Sequence, residues 1–179
     1  LSLNYAQAPL AVPAGGAALK VMTINVLYRV NNDARMVEEI SSEQPDVIFL
    51  QELKQSRASL LQRLKQGYPW QVSCAGKWDC DVAIVSRRPW VEAGAGAIGA
   101  AATKMAWVRF GPELSGALLA SVHLKWPFIS NQAEQLRAVR EAIADHHGPV
   151  VIAGDLNAVA WSSAVKSFTR QAHLQSAGG

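Results

Sequence analysis

The stretch GPVVIAGDLNAVAWSS, residues 148–163, decides the fold of this chain. Four apolar residues lead directly into Gly154 and Asp155, and Asn157 follows two positions later. A short apolar run bounded by turn-forming residues predicts a buried strand. A carboxylate and a carboxamide therefore lie just beyond the end of that strand, where they either begin a turn or contribute to a functional site.

Three further strand candidates also end in a polar residue: LKVMTIN at Asn25, DVIFLQE at Glu52 and GALLASVH at His123. In α/β sheets, ligands bind in the crevice beyond the carboxyl ends of the strands. If these strands are neighbours, their polar ends meet at one site. Carboxylates, amides and an imidazole together suit a hard cation that holds a phosphate group.

Each of these residues also has an ordinary structural explanation. A glutamate after a strand is usually solvated, and aspartate and asparagine are common in turns. A single histidine is more often a packed, hydrogen-bonded side chain than a ligand. The recurrence of polar residues at four strand ends is what favours a functional interpretation.

The rest of the pattern predicts one α/β domain. Apolar residues recur at helical spacing in four segments: 33–44, 56–67, 130–148 and 162–172. Four strand candidates lie between the second and third of these segments: WQVSC, DVAIVS, MAWVRF and GALLASVH. The order βαβα, four strands, then αβα predicts two sheets packed together with helices outside them.

The segment GAGAIG, residues 94–99, matches the glycine pattern of dinucleotide-binding loops. Pro89 disrupts the strand that should precede such a loop, and the residues that follow are too few for a crossover helix. We therefore predict a flexible loop beside the cleft.

The two cysteines, Cys74 and Cys80, are separated by five residues. They predict either a disulfide, which would imply an oxidising compartment, or two buried free thiols.

The composition fits a soluble globular domain with a slight excess of positive charge. The chain has 179 residues, of which half are hydrophobic and 17% charged, and its net charge is +3. This charge is compatible with a phosphate-bearing ligand, but no run of Lys and Arg marks a nucleic-acid groove. Residues 1–18 are rich in Ala, Pro and Gly, so we predict a linker or tail there and the domain at 19–179.

The segments TIN, PDVIFLQE, ASVHL and GDLNA, in that order, resemble the endonuclease/exonuclease/phosphatase family. This family includes pancreatic deoxyribonuclease and the neutral sphingomyelinases. HLKWPF, followed by Gln132 and Gln135, is similar to a bacterial branch that often carries N-terminal membrane helices. The resemblance implies a four-layered α-β-β-α sandwich and a phosphoester or phosphodiester hydrolase that uses Mg²⁺ or Mn²⁺. It also implies an extracytoplasmic or membrane-anchored location in a bacterium.

The resemblance implies a role for each polar residue at a strand end. Glu52 matches the metal-binding glutamate, and Asn25 matches the asparagine that helps to hold the metal or the phosphate. Asp155 matches the aspartate that orients or activates the attacking water. Asn157 matches an asparagine that contacts the phosphate, and His123 matches a histidine near the scissile phosphate in sphingomyelinase-like members.

Two tryptophans follow these strand ends closely, Trp126 after His123 and Trp161 after Asn157. If the strand ends converge, these aromatic residues form the rim of the site. There they would pack against the protein, stack on a base or touch a lipid surface. The substrate therefore stays open among phospholipid, nucleic acid and small phosphoesters.

The chain departs from the family pattern at its end. Family members normally finish with further strands that carry a Ser-Asp-His motif, whereas this sequence ends QAHLQSAGG. We therefore expect the domain to be C-terminally incomplete, to lack its last strands and to be inactive without the missing histidine. The alternative is a non-catalytic module that keeps the fold and binds a phosphate-bearing ligand or a protein.

Overall fold

The computed structural model describes residues 18–26, 33–76, 79–127, 131–159 and 161–176. The strands within these ranges are β1 Val21–Asn25, β2 Val47–Gln51, β3 Trp70–Ser73, β4 Ala83–Ser86, β5 Glu92–Ile98, β6 Thr103–Arg109, β7 Leu118–His123 and β8 Val150–Asp155. The α-helices are α1 Asp33–Glu43, α2 Ala58–Leu64, α3 Gln132–Ile143 and α4 Ser163–Gln171. None of the helices in these ranges has the length and apolar character needed to cross a membrane.

The strands form two sheets of four, and each sheet uses one continuous half of the chain. The first sheet has the order β1-β2-β4-β3 and the second the order β5-β6-β7-β8. Each sheet contains one parallel pair, β1 with β2 and β7 with β8, and its other pairs are antiparallel. The two parallel pairs face each other across the interface between the sheets.

Alternating side chains divide the interior into three apolar layers. One layer lies between the first sheet and helices α1 and α2, and includes Ile40, Leu50 and Leu60. The middle layer joins the two sheets through residues such as Phe49, Phe110 and Leu119. The third packs α3 and α4 on the second sheet through Val122, Leu136 and Phe168. This arrangement confirms the predicted four-layered sandwich.

The prediction of a flexible loop at residues 94–99 is wrong. Most of this segment belongs to β5, an edge strand that pairs with β6 along its whole length. A Cβ atom on Gly94 would lie 2.8 Å from Nε1 of Trp107, so the glycine allows the indole to lie against the strand. Pairing and this aromatic contact thus offset the low strand propensity of Ala and Gly. Among the residues that the structure describes between α2 and α3 there are five strands, where the sequence predicts four.

The two cysteines form a disulfide, which decides between the two alternatives left open by the sequence. Cys74 directly follows β3, and Cys80 precedes Asp81 in the loop that leads to β4. The bridge therefore closes the base of the β3–β4 connection. The predicted linker falls almost entirely on residues 1–17, outside the described residues, and remains a prediction.

Candidate active site

The carboxyl ends of the two facing parallel pairs meet at one edge of the sandwich. β1 ends at Asn25, and β2 is followed directly by Glu52. β7 and β8 end side by side, with His123 paired to Asp155. Glu52, His123 and Asp155 each offer one ligand atom, and these three atoms lie within 4.8 Å of one another. The strand ends thus converge as the sequence predicts.

Asn25 links the two carboxylates across the boundary between the sheets. Its side-chain nitrogen, Nδ2, donates to Oε1 of Glu52 and to Oδ2 of Asp155, at 2.9 Å in each case. Two carboxylates held close together repel each other, and a shared amide donor offsets part of that repulsion. Asn25 therefore contacts both carboxylates through its side-chain nitrogen and not through its side-chain oxygen.

Glu52 has a left-handed backbone, with a φ of 57°. This conformation is uncommon outside glycine and is kept only where the surroundings enforce it. Here the backbone N–H of Leu53 donates to the carbonyl of Asp81 at 2.8 Å, and that of Lys54 to the carbonyl of Glu52 at 2.9 Å. The turn after β2 directs the glutamate to the site instead of continuing the strand.

Gly154 allows β8 to approach β7 closely just before the catalytic aspartate candidate. Its φ is 144°, and a Cβ atom there would lie 2.0 Å from the carbonyl oxygen of Val122. A side chain would therefore collide with the neighbouring strand. The glycine that precedes Asp155 in the quoted stretch is required by this approach.

His123 is held by an aspartate that sequence reasoning did not identify. Oδ1 of Asp81 lies 2.9 Å from Nδ1 of His123, and Nζ of Lys104 donates to Oδ2 of Asp81 at 3.1 Å. Asp81 is only 3% exposed. Because Nδ1 is engaged by Asp81, Nε2 is the nitrogen through which His123 can act in the cleft.

The pKa of Asp81 reflects opposing effects. Burial alone would raise the pKa of this carboxyl group, but the hydrogen bond and charge of His123, together with Lys104, outweigh it. The pKa of Asp81 is therefore held below its ordinary value of 3.8. At neutral pH the group is therefore a carboxylate, which can orient the imidazole of His123.

Asn157 connects the loops that follow β7 and β8. Its Nδ2 donates to the carbonyl of Leu124 at 2.6 Å, and its backbone N–H donates to Oδ1 of Asp155 at 2.9 Å. With a φ of 45°, it occupies the left-handed region that asparagine tolerates better than most residues. The structure thus places Asn157 at the site, with its amide nitrogen committed to the scaffold.

The site opens into a cleft of about 280 Å³. Its lining includes Glu52, His123, Asn157 and Trp126, together with three lysines and two aspartates: Lys54, Lys104, Lys125, Asp79 and Asp81. Trp126 is 58% exposed, which fits the predicted rim. Trp161 is 70% exposed but does not line this cleft. A larger groove beside β8 and α4 contains Asp155 but not Glu52 or His123.

The donor set fits a divalent cation. Two carboxylate oxygens and one imidazole nitrogen lie close enough to share one ion, and all three residues are half-buried. Hard cations such as Mg²⁺ and Mn²⁺ prefer carboxylates, and imidazole is also a common metal ligand. Glu52, His123 and Asp155 are therefore the residues that would hold a cation here.

Sequence comparison agrees with this geometry. The sequence profile of the Endonuclease/Exonuclease/phosphatase family matches residues 22–176. The chain belongs to this family. Family membership indicates metal-dependent hydrolysis of phosphoester bonds. Among curated proteins, none matches the chain by sequence.

Solved structures of the family's fold superpose well on the chain. A beta toxin from Staphylococcus aureus is 18% identical, with a TM-score of 0.68 over 89% of this chain and 73% of the toxin. Sphingomyelinase C from Streptomyces griseocarneus is 21% identical, with a TM-score of 0.66 over 86% and 69%. D. rerio TDP2 complexed with a single-strand DNA product is 22% identical, with a TM-score of 0.65 over 84% and 64%. At these identities the likeness establishes the fold.

Four of the site residues named above carried no clear sequence signal: Asp81 and the lysines Lys54, Lys104 and Lys125. Asp81 lies in a short loop before β4 and not at the carboxyl end of a strand. Lys104 is near the start of β6, in the other sheet. The one signal was local: an acid directly after Cys80 and before a fully buried strand has to find a partner.

Proposed function

We propose that this family member hydrolyses phosphodiester bonds by in-line attack of water on phosphorus, with Mg²⁺ or Mn²⁺ as its cofactor. The observation that carries this proposal is the meeting of ligand atoms from Glu52, His123 and Asp155 within 4.8 Å, beside a cleft that Lys54 and Lys125 also line. Lys54 and Lys125 can attract a phosphate there, and the two carboxylates provide the negative charge that retains a cation.

The described residues divide the chemistry as follows. Glu52, His123 and Asp155 would hold the cation, which when bound offsets phosphate charge and makes a water more acidic. Asn25 supports Glu52 and Asp155 through its hydrogen bonds to both. Asp155 also orients the attacking water and accepts its proton.

Asn157 orients Asp155, because its backbone N–H donates to Oδ1 of that carboxylate. Asp81 keeps His123 in one orientation through its contact with Nδ1. Preorganised groups of this kind lower the barrier because they need no rearrangement when charge forms on the phosphoryl group.

We further propose that the substrate is a phospholipid head group at a membrane surface. The loops after β7 and β8 carry three of the large apolar side chains exposed on the described surface: Trp126, Val159 and Trp161. Lys54 and Lys125 lie at the mouth of the same cleft. Tryptophan and lysine together suit the interface of a bilayer, where an apolar surface adjoins phosphate groups.

A nucleic acid is the competing substrate. Sphingomyelinase C and a TDP2–DNA product complex are both structural neighbours, so the fold is compatible with either class. Two observations favour the lipid. Val159 is aliphatic and offers no ring on which a base can stack. Lys104, one of the three cleft lysines, is paired with Asp79 and Asp81, which leaves little of the charge that a nucleic-acid groove needs.

A cation titration followed by an activity measurement tests this function. Calorimetry with Mn²⁺ is expected to show binding by the wild-type protein and none by Glu52→Gln. Glu38→Gln, an exposed substitution on α1, is the control and should bind as the wild type does. Turnover is then compared on phosphatidylcholine vesicles and on single-stranded DNA.

The outcomes separate the alternatives. Cleavage of the lipid but not of the DNA supports the full proposal. Cleavage of DNA alone would mean that the substrate is a nucleic acid and not a phospholipid. Mn²⁺ binding without turnover on either substrate, or on a soluble phosphodiester, supports a non-catalytic module. Equal Mn²⁺ binding by wild type and Glu52→Gln contradicts the assignment of the site.

The disulfide supports an extracytoplasmic location as part of the same proposal. Structural disulfides persist in oxidising compartments and are rare in the cytosol. Rapid alkylation of free thiols in freshly lysed cells is expected to leave Cys74 and Cys80 unlabelled. Full labelling of both cysteines would contradict this location.

A further inference from the structure

The candidate site is divided between two sheets, and none of the described strands belongs to both. Asn25 and Glu52 belong to the first sheet, and His123 and Asp155 to the second. Apolar packing between the sheets is non-directional, so it sets their separation better than their register. A site that needs ligand atoms in fixed positions requires a directional contact between the sheets.

Gln51 makes such a contact in the interior. Its Nε2 donates to Oγ of Ser121 on β7 at 2.9 Å, and its Oε1 accepts from Oγ1 of Thr23 on β1 at 3.2 Å. Gln51 is 1% exposed and Ser121 is fully buried. One amide therefore joins β1, β2 and β7, and thus both sheets.

The position of this link is significant. Gln51 immediately precedes Glu52 in the chain and pairs with Asn25 in the β1–β2 ladder. Ser121 lies two residues before His123, on the same face of β7. The link is therefore more deeply buried than the site. It connects β2, which leads into Glu52, to β7, which ends at His123.

Other side-chain hydrogen bonds between the sheets lie in the site itself. Among the described residues these are Asn25 to Asp155, Asp81 to His123 and Lys104 to Asp81. Each of them involves a group that a cation or a substrate would contact or disturb. The Gln51–Ser121 bond is buried away from those groups, and it can hold the register while the site changes state.

We propose that Gln51 is a positioning residue: its bond to Ser121 fixes the register of the two sheets and so brings Glu52 within reach of His123 and Asp155. A buried amide is suited to this task because its hydrogen bonds are directional and costly to leave unmade. An apolar side chain of equal size would fill the space without defining the register. The inference rests on the proposed function for its metal readout only.

The test uses Gln51→Met, Ser121→Ala and the double variant. Gln51→Met keeps the volume but removes the partner of Ser121 and of Thr23. It should lower both thermal stability and Mn²⁺ affinity, the latter by about 10-fold or more. In the double variant both members of the Gln51–Ser121 hydrogen bond are gone and only the Thr23 hydroxyl is left unpaired by the change, so part of the stability should return. The Mn²⁺ affinity should stay low, because the register contact is still missing.

A second readout requires no metal. The side-chain amide of Asn25 bridges Glu52 and Asp155, so its NMR signals report the alignment of the two sheets. These signals should move in Gln51→Met, in Ser121→Ala and in the double variant. Ser86→Ala is the matched control. It removes a buried hydroxyl at the end of β4 that pairs with the start of β2, far from Glu52, and should lower stability without shifting the Asn25 signals.

The outcomes distinguish this inference from the proposed function. If the Asn25 signals and the Mn²⁺ affinity of the folded variants equal those of the wild type, Gln51 is merely structural and the proposal is overturned. If the wild type binds no Mn²⁺ but the Asn25 signals move, the proposed function fails and the positioning role stands. If Gln51→Met does not fold, Ser121→Ala alone decides, since it breaks the same bond with a smaller change.

Discussion

At the scale of single residues, Asp81 connects more parts of the site than any ligand candidate does. Its carboxylate contacts His123 and Lys104 in the second sheet. Its backbone carbonyl accepts from the N–H of Leu53, next to Glu52 in the first sheet. A change at Asp81 therefore reaches both halves of the site without removing a ligand.

Asp81→Asn is expected to lower turnover or metal affinity by about 10- to 100-fold, as is common for groups that orient a ligand. The amide keeps the volume but loses the carboxylate that orients the imidazole through Nδ1. Steady-state kinetics with a soluble phosphodiester and Mn²⁺ titration measure the effect. Asp79→Asn is the matched control, because Asp79 is exposed and lies 3.7 Å from Lys104. Equal losses in both variants would refute a specific role for Asp81.

The lowered pKa of Asp81 predicts a pH dependence of stability. A carboxyl group whose pKa is depressed on folding stabilises the protein at pH values above its unfolded pKa, about 3.9. That contribution is lost as the pH falls through the depressed pKa of the folded state. The difference in unfolding free energy between wild type and Asp81→Asn should therefore shrink from pH 6 to pH 3. Urea unfolding at the two pH values measures it, and a constant difference would contradict the pKa shift.

The ligand candidates and Asp81 differ in how far sequence could predict them. One rule about strand ends predicts the ligand candidates and Asn25, because each lies at the end of an apolar run: Asn25, Glu52, His123 and Asp155. Asp81 acts from a loop, and its partner lies on a strand of the other sheet. No local pattern reports such a contact, because it depends on how two sheets dock.

At the scale of elements, the closeness of β7 and β8 depends on Gly154. Gly154→Ala would place a Cβ atom 2.0 Å from the carbonyl of Val122 and is expected to cost about 1–3 kcal/mol or more. Gly96→Ala is the matched control, since nothing lies within 4 Å of a Cβ there and alanine suits a strand better than glycine. Thermal or urea unfolding measures both. A Gly154→Ala protein as stable as Gly96→Ala would show that the two strands can separate freely.

The disulfide closes the connection between β3 and β4 next to Asp81. Cys74 and Cys80 are six positions apart, and the chain-entropy estimate for so short a loop is about 2 kcal/mol. Cys74→Ala/Cys80→Ala is expected to lose about that much unfolding free energy and also part of the activity, because Asp81 is the next residue. Urea unfolding of oxidised and reduced wild type provides the control. A double variant with unchanged stability and unchanged turnover would be inconsistent with this role.

Elements were predictable where periodicity was strong. The helical segments and the strands with β-branched cores were found because their apolar spacing matches one period. The exception is β5, where the sequence GAGAI lacks bulky residues. That strand exists because β6 pairs with it and Trp107 covers Gly94, and both partners come later in the chain. Tertiary contacts therefore override local propensity there.

At the scale of the whole molecule, the sandwich brings two similar halves face to face. Each half contains a parallel strand pair with polar carboxyl ends, and the site exists only where those ends meet. The class of the fold followed from the order of elements, because few architectures accommodate alternating strands and helices. The distances within the site did not, since they depend on how the two sheets align.

The division of the sheets along the chain has a practical consequence. Every described strand of the first sheet ends at or before Ser86, and every described strand of the second begins at or after Glu92. A chain cut between these residues would yield two fragments, each holding an incomplete set of ligands. Hydrolysis would then behave as a logical AND gate that responds only when both fragments are present. Fused to two other proteins, the pair would convert their association into an enzymatic signal.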